Sequence, residues 1–147
     1  MENIIIQKAE SKDVVILAQL AVQMWESPIQ ELQDGFCDLL CNEQAAVYLL
    51  YVDDKAVGFA QCQLRNDYVE GTSSSPVGYL EGIFVSEGYR KKGFAGKLLA
   101  KCEEWAAQQG CTEFASDCEL DNDTSFAFHL AAGFTEANRV ICFTKKI

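Results

Sequence analysis

Apolar and polar positions recur along this chain with two different periods, and each change of period marks an element. Ile4 to Ala9 is a short β-branched run and reads as a first strand. Ser11-Lys12-Asp13 is a helix start. Val14, Leu17, Ala18, Leu20, Ala21 and Met24 follow at helical spacing, with Trp25 at the end. Pro28 suits the first turn of a second helix, whose apolar side is Ile29, Leu32, Phe36, Leu39 and Leu40. Ala45 to Val52 and Ala56 to Arg65 read as strands joined by a hairpin turn at Asp53-Asp54-Lys55. Asn66 to Pro76 is a polar loop, of the kind that carries binding groups on a fixed scaffold. Gly78 to Val85 is the next strand, apolar except at Glu81 and Gly82. Gly93 to Gln109 is a long helix closed by Gly110. Glu113 to Cys118 is a strand. Asp121-Asn122-Asp123 caps a helix that runs to Ala132 and ends at Gly133, and Asn138 to Thr144 is a last strand.

The order is β-α-α-β-β-β-α-β-α-β. Strand–helix alternation after residue 77 implies an α/β fold, a mixed central sheet with helices on both faces. Tight turns make the early strands antiparallel. The unit from Gly78 to Cys118 should be a parallel crossover. At 147 residues the chain is one domain, spanning 1–147, and buries about two-thirds of its unfolded surface without staples. Hydrophobic content of 49% and only 2 prolines exclude a disordered chain. No apolar run reaches membrane-spanning length, and MENIIIQKAE lacks a signal-peptide layout, so a cytoplasmic protein is expected.

The 7 cysteines are odd in number and mostly lie inside apolar runs, as free thiols packed in a reducing compartment would. With no C-x-x-C pair and a single histidine, no metal site is expected. The net charge of −10 disfavours nucleic acid, whose phosphates need a basic footprint, and suits a small cationic ligand.

The stretch Gly78 to Leu99 places a strand, a basic loop and a helix N-terminus in succession. First-turn amides lack internal acceptors and sit at the positive end of the helix dipole. Gly93 and Gly96 leave that backbone approachable by a pyrophosphate. The order Arg90-Lys91-Lys92-Gly93-Phe94-Ala95 resembles the acyl-CoA loop of the Gcn5-related N-acetyltransferases (GNAT). Taken alone, the hexamer also fits a basic surface loop entering an ordinary helix. The predicted element order resembles that fold, in which two parallel central strands splay apart. Three further segments narrow the resemblance to aminoglycoside 6'-N-acetyltransferases: RNDYVEGTSSSPVGYLEGIFV from Arg65 to Val85, FASD from Phe114 to Asp117, and HLAAGF ending at Phe134.

The resemblance implies acetyl transfer from acetyl-CoA to a primary amine by direct attack in a ternary complex. It implies that backbone groups of Ile83, Phe84 and Val85 hold the pantetheine arm and offer the oxyanion a donor. Arg90, Lys91, Lys92, Gly93, Phe94, Ala95 and Gly96 would take the pyrophosphate. Asn122 would add a cofactor contact, or serve only as a helix cap.

Glu81 interrupts an apolar strand, which is costly for a carboxylate unless it is paired or lies in a cleft. By resemblance it binds the amine and is a candidate base acting through water; the plain alternative is an edge carboxylate in solvent. A well-placed base is worth roughly 10²–10⁴ in rate. Asp117, at the end of the neighbouring strand, is the second acid. Each acid offers an ammonium roughly 4 kcal/mol of gross attraction at an effective dielectric of 20. They also raise the amine's pKa, so they favour binding more plainly than deprotonation. Trp25 and Tyr68 match substrate-contacting positions, although Trp25 also suits a core anchor. His129 falls where relatives place the acid for the leaving thiolate, and otherwise lines the channel or is structural.

Relatives often carry His at the position of Pro28 and an acid at that of Asn138, both thought to face the antibiotic. Another polyamine, an amino sugar or a protein N-terminus is therefore the alternative acceptor. A non-catalytic acyl-CoA sensor and a plain interaction module are the rivals from other classes. The resemblance also implies a homodimer, with the last strand a candidate interface.

Overall fold

The computed structural model describes residues 1–147. One five-stranded sheet runs β1 (Ile4–Lys8), β2 (Ala45–Val52), β3 (Lys55–Arg65), β4 (Val77–Val85), β5 (Phe114–Ala115), in that spatial order. The first three pairings are antiparallel and β4–β5 is parallel. The helices are α1 (Val14–Ala21), α2 (Ile29–Leu40), α3 (Phe94–Gln108) and α4 (Asp123–Ala131). The β2–β3 hairpin closes at Asp53 and Asp54, both with positive φ, which short polar side chains tolerate.

The sheet is covered on both faces, as the unbroken apolar run of β2 requires. Val47 and Leu49 of β2 face α1 and α2, where they meet Leu17, Ala18 and Phe36. Ala46, Leu50 and Val52 face α3, where they meet Leu98, Leu99, Cys102 and Trp105. Phe59 is fully buried on the first face, with ring centroids 5.8 Å from Phe36, 5.9 Å from Trp25 and 6.3 Å from Phe84. Burying such a ring is worth about 1.5–3 kcal/mol. This cluster therefore anchors α1 and α2 to the middle of the sheet. Asp13, the buried acid, bonds the amide of Glu10 at 2.8 Å and caps the helix start. That contact satisfies it structurally.

Two β-bulges break the alternation. Val57 has no partner between Leu50↔Gly58 and Tyr51↔Ala56. Glu81 has none between Gln61↔Gly82 and Cys62↔Leu80. An extra residue inverts which face later side chains take. Leu80 and Ile83 thus pack on the α3 side, and Phe84 on the α1 side.

Three expectations need correction. The strand at Glu113 to Cys118 shrinks to Phe114–Ala115, because β4 and β5 pair only at Gly78↔Phe114 and Tyr79↔Ala115. Asn138 to Thr144 forms no strand: it has no partner in its own chain, and Val140, Ile141 and Phe143 are 73%, 81% and 88% exposed. All seven cysteines are free, yet only Cys62 and Cys102 are buried; Cys37, Cys41, Cys118 and Cys142 are exposed. A hydrogen bond with Cys62 and burial push the Cys102 thiol well above its ordinary range, so it packs as an inert hydrophobe.

Candidate active site

The β4–β5 ladder ends at Tyr79↔Ala115, whereas β4 continues to Val85. From Leu80 onward, β4 has no strand partner on that edge. Side-chain bonds take over where the ladder stops. The Tyr79 hydroxyl donates to Asp117 Oδ2, and Ser116 Oγ lies 2.8 Å from His129 Nε2. An open strand edge offers unpaired backbone groups to an extended ligand, and Ile83, Phe84 and Val85 lie on this stretch.

At the end of β4 the chain turns through Glu87–Tyr89 into the basic loop. Lys91 and Gly93 have φ of 62° and 80°, and Gly93 caps α3 from a left-handed conformation. The amides from Lys91 to Gly96 donate to no backbone carbonyl; the first donor after them is Lys97, to Gly93 at 3.3 Å. A Cβ at Gly93 or Gly96 would meet nothing within 4 Å, so the space above these amides is clear. Free amides, a helix dipole and an uncovered backbone fit a diphosphate. The basic side chains are less free than the sequence implies. Arg90 Nε donates to the Val85 carbonyl at 2.7 Å, and Lys92 pairs with Glu2 at 3.4 Å.

Glu81, at the bulge, is half-buried. Its Oε1 and Oε2 accept from Arg65 Nη2 at 2.5 and 3.2 Å. The Arg65 guanidinium lies 3.4 Å above the Tyr79 ring centroid, within cation–π range. Glu81, Arg65, Tyr79 and Asp117 thus form one continuous chain of contacts, and the two predicted acids belong to one cluster. Burial, and then the bond to Asp117, raise the Tyr79 phenol far above its usual range, so it serves Asp117 as a donor.

Trp25 sits beside this cluster: a Cβ on Gly82 would lie 2.8 Å from its Cζ2. The same ring packs edge-on against Phe59, as a core anchor would. Tyr68 is 76% exposed, next to Val69, which anchors the loop in a small cluster with Val77 and Tyr79. The loop also touches the chain before Asn138, since a Cβ on Gly71 would lie 2.6 Å from Ala137 Cβ. Asn138 is exposed and its Oδ1 accepts from the Arg139 amide at 2.8 Å. Asn122 caps α4, its Oδ1 accepting from the Ser125 amide at 3.1 Å.

His129 is engaged at both nitrogens. Nδ1 lies 2.7 Å from the Ser125 carbonyl, which can only accept, so Nδ1 carries a proton. Nε2 faces Ser116 Oγ. The ring therefore ties α4 to the end of β5.

Sequence reasoning assigned no role to Arg65 or Tyr79. The register contains the missing signal: Tyr79 pairs with Gln63, which puts Arg65 on the diagonal, within reach of a long side chain. Two surface hollows are lined by residues such as Leu40, Asn42 and Ala45, or Ile16, Gln23 and Tyr51. Neither includes a candidate residue.

The profile of the acetyltransferase (GNAT) family matches residues 14–134. The chain is 42% identical over 130 residues to aminoglycoside N(6')-acetyltransferase type 1 of Acinetobacter haemolyticus, covering 88% of this chain and 89% of the relative. Its fold matches aminoglycoside N-acetyltransferase AAC(6')-Iy in complex with CoA, with a TM-score of 0.95 and 34% identity, over 100% of this chain and 97% of the other. It also matches AAC(6')-Iy bound to the bisubstrate analogue CoA-S-monomethyl-acetylneamine, with a TM-score of 0.93 and 34% identity, over 99% of each chain.

Proposed function

The chain belongs to the acetyltransferase (GNAT) family, and on that premise we propose that it acetylates the 6'-amine of aminoglycosides with acetyl-CoA. The observation that carries this reading is the placement of Glu81. A carboxylate stands on a bulge, beside a strand edge left open by β5 and upstream of a loop with free amides.

In this reading acetyl-CoA lies along Ile83, Phe84 and Val85, with its diphosphate on the amides of Lys91 to Gly96. Arg90, Lys91 and Lys92 supply positive field. Asn122 caps α4 with its oxygen and turns its amide toward the cofactor. The acceptor ammonium binds between Glu81 and Asp117, with Trp25, Tyr68 and Asn138 around its ring. The amine loses a proton to water held by Glu81, and its lone pair attacks the thioester carbon. A strand amide stabilises the oxyanion, the C–S bond breaks, and the thiolate takes a proton from solvent. His129, engaged at both nitrogens, positions Ser116 and α4 in this scheme.

Pro28 and Asn138 favour a second reading in which the acceptor is another small polyamine or amino sugar. A homodimer is part of the proposal, supported by the exposed apolar run at Val140, Ile141 and Phe143. A reducing, cytoplasmic setting is supported by seven free thiols. No helix is long and apolar enough to cross a membrane.

Thiol release from acetyl-CoA, assayed across aminoglycosides and other amines, tests the proposal. Release with an aminoglycoside is expected, and Glu81→Gln should lower kcat/KM about 100-fold with acetyl-CoA affinity unchanged. No release with any aminoglycoside would overturn it.

A further inference from the structure

Arg65 covers the carboxylate that the acceptor needs. One nitrogen, Nη2, lies 2.5 and 3.2 Å from the two oxygens of Glu81, where an ammonium would bind. The Arg65 side chain is 40% exposed and that of Glu81 is 16% exposed, so the guanidinium is the more solvent-facing partner. It does not depend on the ion pair alone for its place. Its Cζ lies 3.4 Å from the Tyr79 ring centroid, and Tyr79 is fixed by its bond to Asp117. A planar cation seated on a fixed ring is pre-organised in a way that an exposed Lys–Glu pair is not.

The charges of the cluster bear on selectivity. Glu81 and Asp117 contribute two negative charges and Arg65 one positive. The resulting single negative charge balances one ammonium. A second ammonium on the same acceptor meets the guanidinium.

We propose that Arg65 is a positioning residue that sets acceptor specificity. It is a resident counter-cation on Glu81 that the incoming ammonium has to displace, and it weakens binding of acceptors carrying several ammonium groups more than of those carrying one. This inference rests on the reading of Glu81 as the acceptor-binding carboxylate. Purely structural pairing predicts the opposite: losing Arg65 would leave Glu81 disordered and weaken every acceptor alike.

The test measures KM and kcat for neamine, which carries several amino groups, and for 6-amino-6-deoxyglucose, which carries one. Arg65→Gln removes the charge and Arg65→Lys keeps it without the flat face. Acetyl-CoA affinity serves as the folding control. The KM for neamine in Arg65→Gln is expected to fall by up to about fivefold, the upper end for one partly exposed charge, and that for the monoamine to fall less. Arg65→Lys should lie between wild type and Arg65→Gln, and it decides the matter alone if Arg65→Gln does not fold. A neamine KM that is unchanged or raised, or that moves by the same factor for both amines, overturns the inference. Absence of thiol release from the wild type with neamine and with every other aminoglycoside overturns the parent reading, and this inference with it. Release from the wild type without the predicted split overturns this inference alone.

Discussion

Trp25 occupies the space that a side chain at Gly82 would need. Its Cζ2 and Cη2 lie 2.8 and 3.0 Å from an ideal Cβ at that position. Glycine therefore lets the indole press on the backbone one residue after Glu81. The same ring meets Phe59 edge-on at 5.9 Å, so the core behind it holds it there. Gly82→Ala has to move either the indole or the bulge. Overpacking of this kind costs about 1–3 kcal/mol. Chemical denaturation should show that loss, and the acceptor KM should rise while the acetyl-CoA KM holds. Equal rises in both constants would mean that Trp25 does not border the acceptor.

Tyr79→Phe removes the donor to Asp117 and keeps the ring beneath Arg65. A hydrogen bond to a charged group is worth about 1.5–3 kcal/mol, and partial exposure puts the expected loss at the low end. The pH dependence has a definite sign. Burial first, and then Asp117, raise the folded phenol's pKa above its unfolded value of about 10. Its stabilisation is complete below that value and is lost as pH rises through the folded pKa. Urea titrations should show a constant gap between wild type and variant up to about pH 10, narrowing above it.

Glu113 ties the polar loop to the start of β5. It accepts from the Ser74 hydroxyl, and from the Ser73 amide at 2.9 Å. The Ser74 bond leads in lowering its pKa. A lowered carboxylate contributes stability above its unfolded value, about 4.3, and loses it as pH falls through the folded pKa. Amide protection factors in residues 66–76 should therefore fall under acid in the wild type. Glu113→Gln should lack this acid step; a step of the same size in the variant would assign it to another group.

The segment after Asn138 carries Val140, Ile141 and Phe143 into solvent. Contiguous exposed apolar side chains mark interaction surfaces. Sedimentation equilibrium should find a dimer for the wild type. Replacing the three by Ser, Thr and Gln should give monomers that keep the acetyl-CoA affinity. A monomeric wild type would remove the homodimer from the proposal.

Most of the local architecture was legible from neighbouring residues. Ala45 to Val52 is an unbroken apolar run, the mark of a strand covered on both faces, and is β2 to the residue. Asp53-Asp54 forms the expected turn, and Gly93 opens α3. Each depends on interactions within a few positions: a period, a cap, or a φ that few side chains accept. The sequence also singled out Glu81 and Asp117 as the two acids, although Asp117 lies beyond β5, which ends at Ala115.

Tertiary structure decided the rest, because it depends on partners distant in the chain. Whether Glu113 to Cys118 is a long strand depends on how far β4 stays beside it, and it does so for only two pairs. The β-branched and aromatic run within Asn138 to Thr144 marks a segment able to be a strand, but a strand also needs an edge to pair with. The bulge at Glu81 arises from register against β3, which no run of β4 residues encodes, and it inverts the faces of everything after it. The Arg65 cation on Glu81 exists only because antiparallel pairing brings residues sixteen positions apart into contact. Sequence determined which elements form and which chemical groups they carry; the register between them determined which groups meet, since hydrogen-bonded pairing is a property of two strands and not of one.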